Sequence, residues 1–515
     1  MPNKIQRILD YSVLIYLSIP VALFLIGWLK PMYGLPFTGM LIAGIYFYMQ
    51  KVPVGDLTNQ QISYWQLFLV IVLSFAWVYL SGAGGFSNQD WDYHYKNAFL
   101  RDLAQYKWPV FFDFPNDFDI KFLAGHKTAF NYYFTYWLPA GLIGKWFGQS
   151  AANTALLLWN YIGVLLVFFQ LHKLFNFNYI LFISSLFALW SGMDFLGKLL
   201  IQQHIVGYNE PIEMYYFFSY TSFTFDLFDV FNQTIPGWLV TLWAIQYRKI
   251  IPVFPLALLI PFAPFPFMGL TLYISLVLAF DVATKLRETN FSSTLLYLWE
   301  RTEKVSLAAS MIAIVLPFIA MYKARTADLY SQFFVVRFIG QSVSASVTIL
   351  VNYLLTFTLE AGIFFLLIRW LSPAVYRLNK PTFWVSFGLL LFIPVWEVGV
   401  WRDFASRASI PILTILAVFS LQAVINAFVE KRNQLAIWAF AVVVLISWIG
   451  PFILLSKAPT FGQPARLADD IGSLRRPKVS AETDKNGVLS SLPYYYTLEP
   501  QHRFFYRILA KPQPH

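Results

Sequence analysis

Cysteine is absent from all 515 residues, which excludes disulfides, thiolate metal sites and cysteine nucleophiles and leaves the redox compartment unmarked. Charge is scarce as well. Asp, Glu, Lys and Arg together make up 12% of the chain, against about 25% in soluble domains. Also missing are the alternating segments of roughly ten residues that build a membrane β-barrel. What is present is apolar: 58% of the residues are hydrophobic and the mean hydropathy is +0.56. Apolar runs of about 20 residues recur along the chain, so it reads as an all-α polytopic membrane protein. The net charge of +10 is spread over many short loops. It is a topology signal rather than a phosphate-binding surface, and no nucleic-acid partner is expected.

Lys4 and Arg7 precede a span-length run from 9 to 29; no small-x-small cleavage site follows, so this run reads as a first helix with a cytoplasmic N-terminus. Further spans are predicted near 33–50, 64–82, 151–171, 177–197, 234–247, 250–263, 266–283, 305–322, 347–368, 382–400, 408–428 and 434–455, about thirteen crossings on a 20-residue criterion. The segment Phe130 to Phe147 decides the register of topology. If it stays at the interface as a juxtamembrane helix, the short basic connections at His172-Lys173, Arg248-Lys249, Lys285 with Arg287, 369–380 and Lys431-Arg432 fall inside, as the positive-inside rule requires. Loops at about 83–150, 198–233, 323–346 and 401–408 then face outward, and so does a polar tail, 456–515, which reads as a small cap. Five prolines between 252 and 266 predict two short, kinked helices over 250–283.

Under that topology the chemistry gathers on one face. Gly84 to His94 follows the third span and carries Asp90-Trp91-Asp92; an ionised carboxylate beside hydrocarbon sits in water or in a site that uses its charge. Asp90 and Asp92 could share one divalent cation, Mg or Mn, or one could act as a base toward an attacking hydroxyl, with His94 beside them. The 198–233 loop carries His204, Glu210, Glu213, Asp226, Asp229, Asn232 and Gln233, of which His204, Glu210, Asn232 and Gln233 are the candidate substrate contacts. Later loops add Lys323, Arg325, Asp328, Arg337, Arg402 and Arg407. Arginine binds phosphate bidentately and stays charged, so early acids face late arginines.

This arrangement resembles the GT-C superfamily of membrane glycosyltransferases, which includes oligosaccharyltransferases, protein O-mannosyltransferases and lipid A aminoarabinose transferases. Asp90-Trp91-Asp92 matches the family's acidic motif after a span. Phe130 to Phe147, ending in Phe147-Gly148, looks like its juxtamembrane helix. Two helices precede the family's usual first span, a departure from its pattern. The resemblance covers roughly 64 to 455. It implies a polyprenyl-phosphate or diphosphate sugar donor, a glycan, lipid or protein acceptor, no organic cofactor, and placement in a bacterial plasma membrane with the C-terminus extracytoplasmic. It also implies donor phosphate binding by Arg407, Arg402 and Arg337. Bland readings stand beside these. His94 reads equally as a locally bonded loop histidine, Arg402 as the ion-pair partner of Asp403, and the Tyr215-Tyr216-Phe217-Phe218 run as an interfacial belt. Glu360 lies mid-span and Glu397 near a span end. Glu360 supports a rival reading as a transporter or flippase, and a ligase joining lipid-linked glycans is a further alternative.

Overall fold

The computed structural model describes residues 2–53 (side chains from Arg7), 63–89, 92–203, 215–327, 330–399, 402–431, 433–457, 471–477 and 491–513; Asp90, Trp91, His204, Glu210, Glu213, Asp328 and Trp401 lie outside these segments. The chain is an all-α membrane protein, 75% helical. Among the described residues, eight helices are long and apolar enough to cross a bilayer, and two shorter apolar ones, Tyr64–Leu80 and Lys380–Val395, accompany them.

The first three helices, α1 (Pro2–Trp28), α2 (Pro31–Lys51) and α3 (Tyr64–Leu80), coincide with expected spans. Next come α4 (Tyr93–Gln105), β1 (Phe111–Asp113), β2 (Lys127–Phe130) and α5 (Leu138–Phe147). Ten residues of helix cover about 15 Å, half of a ~30 Å hydrocarbon core, so α5 is too short to cross. Its Lys145 donates to the Tyr106 carbonyl and lies over the Trp108 ring at 5.0 Å, which holds α5 against the loop.

After α6 (Gln149–Leu174) the pattern departs from expectation. The 177–197 stretch is not one helix but α7 (Ile180–Ala188), an unwound segment, and then α8 (Asp194–Gln202). A 24-residue helix, α9 (Phe223–Gln246), is kinked at Val230. Between 250 and 263 only α10 (Val253–Ala257) forms, because Pro252, Pro255 and Pro261 remove the donors a continuous helix needs. The expectation of a second short helix fails: α11 (Pro264–Glu288) runs 25 residues. Pro264 and Pro266 fall in its first turn, where the missing N–H groups have no partner to lose. A short amphipathic helix, α12 (Phe291–Arg301), precedes the long helices Lys304–Lys323, Val343–Leu371, Asp403–Val429 and Gln434–Lys457.

Two long-range contacts bring distant parts of the chain together. Residues 491–513 return to the beginning of the chain: β5 (Tyr496–Leu498) pairs with β2 in a β1-β2-β5 antiparallel sheet, Phe130 opposite Tyr496. The Lys511 N–H donates to Trp28 O at 2.8 Å. The Asp403–Val429 helix, most of whose residues are buried, lies directly on α11: a Cβ on Gly269 would overlap Ala408 O. Only glycine permits that approach.

Candidate active site

Arg407 sits one turn into the Asp403–Val429 helix and is 9% exposed. The Gly269 contact is one residue away, at Ala408, so α11 fixes its depth and rotation. Three groups surround the guanidinium. Asp403 Oδ2, one turn back on the same helix, is 3.5 Å from Nη1, and Nη1 donates to the Tyr133 hydroxyl at 3.4 Å. Asp92 Oδ2 is 3.9 Å from Nη2. Charge-assisted hydrogen bonds close to about 2.7–2.9 Å, so these carboxylates neutralise the arginine without clamping it.

Asp92 arrives there through α4. It occupies the N-cap position, and the Tyr95 N–H donates to its carbonyl. The Tyr93 hydroxyl donates to Ser81 O at 2.6 Å, which ties the start of α4 to the end of α3. The Asp92 side chain is 31% exposed and lies at the positive end of a 13-residue helix. His94, in the first turn, is buried. One residue pair further on, the buried Lys96 donates to Asp229 O, stands 3.9 Å from Asp229 Oδ1 and lies 4.2 Å over Tyr93. Lys96 therefore takes up Asp229.

Beside the Arg407 group lies an aromatic wall. Tyr132 and Tyr133 meet tilted at 3.6 Å, Tyr132 meets Tyr495 at 4.9 Å, and Tyr495 meets Tyr95 at 4.6 Å. Tyr495 comes from the far end of the chain. It is placed by the β2–β5 pairing, and its carbonyl accepts from the Asn131 N–H at 3.0 Å. Burial pushes the phenols of Tyr95, Tyr132, Tyr133 and Tyr495 above their ordinary range. They stay neutral, and their hydroxyls remain able to donate.

Other expected residues fall elsewhere. The β3 (Ser331–Phe333) and β4 (Trp396–Val398) pair brings Arg337 and Arg402 to Glu397 instead of to Arg407. Arg337 makes a bidentate contact with Glu397 at 2.6 and 2.7 Å, Gln332 donates to it at 2.7 Å, and Arg402 Nε lies 3.3 Å away. Burial alone would raise the Glu397 carboxyl; the hydrogen bonds from Arg337 and Gln332 outweigh it and hold the group below its usual range. Arg402 thus pairs with Glu397, while the adjacent Asp403 faces Arg407. Asn232 and Gln233 are both buried just past the α9 kink. Asn232 Nδ2 donates to Phe262 O at 3.3 Å, whereas among the described residues neither polar atom of the Gln233 amide has a partner.

Glu360 belongs to a separate buried group in the middle of the bundle. It lies in a π-helical turn, Thr358–Gly362, and accepts from Tyr215 OH at 2.6 Å. Its side chain lies against Gly192, the Met193 N–H donates to Leu359 O at 3.1 Å, and Ser191 Oγ donates to Asp194 Oδ2 at 2.6 Å.

The Mg or Mn expectation rests on Asp90, outside the described residues. Among the described residues no three His, Asp or Glu side chains converge as a metal site, and the cation beside Asp92 is Arg407. Three members of the group escape recognition in the sequence. Asp403 has a signal, its four-residue spacing from Arg407 on one helix; Tyr133 and Tyr495 have none. No protein-family profile, curated protein or solved structure matches the chain.

Proposed function

We propose that this protein is a membrane glycosyltransferase of GT-C type, which moves a sugar from a polyprenyl phosphate or diphosphate to an acceptor hydroxyl or amine at the extracytoplasmic face. The observation that carries the reading is Arg407: a buried guanidinium with a carboxylate on either side, neither at closed hydrogen-bond distance. The acceptor attacks the anomeric carbon and its proton passes to Asp92. The bond from that carbon to the phosphate oxygen breaks on the opposite face, and the oxygen leaves with the electron pair, its charge met by Arg407. One displacement of this kind inverts the anomeric centre. The tyrosine wall offers flat faces and neutral donors to the sugar ring.

The test is transfer from a panel of polyprenyl-phosphate sugars by the purified protein, with the product anomer read by NMR. A positioned base contributes about 10²- to 10⁴-fold, so Asp92→Asn should lose that much turnover while its melting temperature holds. Full activity in Asp92→Asn would end the proposal.

The two buried acids Asp194 and Glu360, beside the unwound segment between α7 and α8, favour a second reading as a proton-coupled transporter. Glu360→Gln should abolish function under that reading and leave sugar transfer standing under the first.

A further inference from the structure

At the end of the bundle away from Arg407, a cavity of about 230 Å³ opens between α9, α11 and the Asp403–Val429 helix. Its interior is apolar, with Ile274, Val277 and Leu278 on one side. Its mouth is polar, carrying the exposed Arg248 and the half-buried Asn379. Arg248 is the group that gives the mouth its sign. It follows the end of α9, donates to Asn379 Oδ1 at 2.9 Å and lies 5.9 Å over the Phe419 ring. Phe419 is twelve residues beyond Arg407 on the same helix, about 18 Å along its axis.

A second arginine at the mouth has a different task. Arg301, at the end of α12, donates from Nη2 to Arg248 O at 2.5 Å and from Nε to Lys249 O at 3.3 Å. From Nη1 it donates to Asp281 Oδ2 at 3.1 Å. Arg301 thereby pins the turn that carries Arg248 and neutralises the one acid on the rim. Lys249, Arg377 and Lys380 are exposed around the same mouth. A membrane-embedded apolar pocket with an uncompensated cationic rim matches an acyl chain joined to an anionic headgroup.

We infer that this cavity is a binding site for an anionic phospholipid, its phosphate on Arg248 and an acyl chain along Ile274, Val277 and Leu278. The site is independent of the Arg407 group and of any reaction there. It makes the chain a reader of lipid charge in the leaflet opposite the candidate active site.

The experiment is native mass spectrometry of the purified full-length protein titrated with phosphatidylglycerol, with phosphatidylcholine and inorganic phosphate as separate arms. Wild type should retain phosphatidylglycerol in preference to phosphatidylcholine, and inorganic phosphate should not displace it. A hydrogen bond to a charged group supports about a tenfold loss of affinity in Arg248→Gln. Val277→Trp, which fills the chain-binding part and leaves the charge in place, should lose the lipid as well, whereas Arg407→Gln should retain it. Wild-type affinity in both Arg248→Gln and Val277→Trp would overturn the proposal. So would equal retention of the two lipids, or displacement by inorganic phosphate alone.

Discussion

Two buried basic residues in this protein are handled in opposite ways. Near one end of the bundle Lys173 of α6 is closed on every side: Asp10 Oδ1 and Oδ2 both lie 2.8 Å from Nζ and Tyr247 OH lies 2.5 Å away. Tyr247 also donates to Asp10 at 2.6 Å, and Gln170 donates to Asp10 at 3.1 Å. Near the other end Arg407 has its carboxylates at 3.5 and 3.9 Å. Both groups join distant parts of the chain, but the first is drawn to full hydrogen-bond distance and the second is not. Lys173 and its partner Asp10 are 2% and 3% exposed, whereas Asp403 and Asp92, the partners of Arg407, are 28% and 31% exposed. A charge closed in hydrogen bonds fastens helices together; a charge held short of closure retains the capacity to meet another anion.

That contrast sets the order of the expected effects. Removing one member of a fully desolvated pair strands the other, at about 3–5 kcal/mol. Lys173→Met should therefore cost that much in denaturant or thermal unfolding, with turnover per folded molecule unchanged. Arg407→Gln leaves carboxylates that water reaches, and solvent screening limits its cost to ~1–2 kcal/mol. Equal destabilisation by the two substitutions would remove the distinction between the clusters.

Gly269→Ala sharpens the comparison from outside the open cluster. Its methyl would overlap Ala408 O, so α11 and the arginine-bearing helix must part. Overpacking of this kind costs about 1–3 kcal/mol. A misplacement of ~1 Å at Arg407 is enough to lower turnover ~10²-fold. Unchanged turnover would show that helix depth does not set the site.

The smallest effect concerns a buried acid of neither kind. Asp102 of α4 accepts from Ser473 Oγ at 2.6 Å and from the Leu474 N–H at 2.8 Å, and so holds residues 471–477 on the loop. Burial pushes its carboxyl up to about 7, against the lowering effect of those hydrogen bonds. A carboxyl raised in the folded state binds its proton more tightly than in the unfolded chain. Its contribution is present in acid and lost as pH rises through about 7. The melting temperature should fall by ~1–3 °C between pH 5 and 8 in wild type, and that slope should flatten in Asp102→Asn.

How much of this is legible in the sequence depends on the range of the interactions behind each feature. The all-α membrane class and the early helices come from runs of apolar residues, a local property. The break between α7 and α8 is not legible, because 177–197 is mostly apolar and the contact that occupies the unwound backbone, the Met193 N–H donating to Leu359 O, is long-range. Among the prolines, 252, 255 and 261 leave only the short α10, whereas 264 and 266 stand in the first turn of α11 and leave 25 residues of helix, so position within the helix decides the outcome. At the site, Asp92 and Arg407 are recognisable by residue type beside spans. Arg337 and Arg402 group with Arg407 on the same grounds, but the β3–β4 register, a long-range pairing, gives them to Glu397. Tyr495 reaches the site only through the β2–β5 pairing.

The central claim is that Arg407 receives the phosphate of a lipid carrier while Asp92 acts on the acceptor. Binding of polyprenyl phosphate to the purified protein separates the two roles: wild type and Asp92→Asn should bind alike, and Arg407→Gln should bind at least about tenfold more weakly. Wild-type affinity in Arg407→Gln would contradict the account.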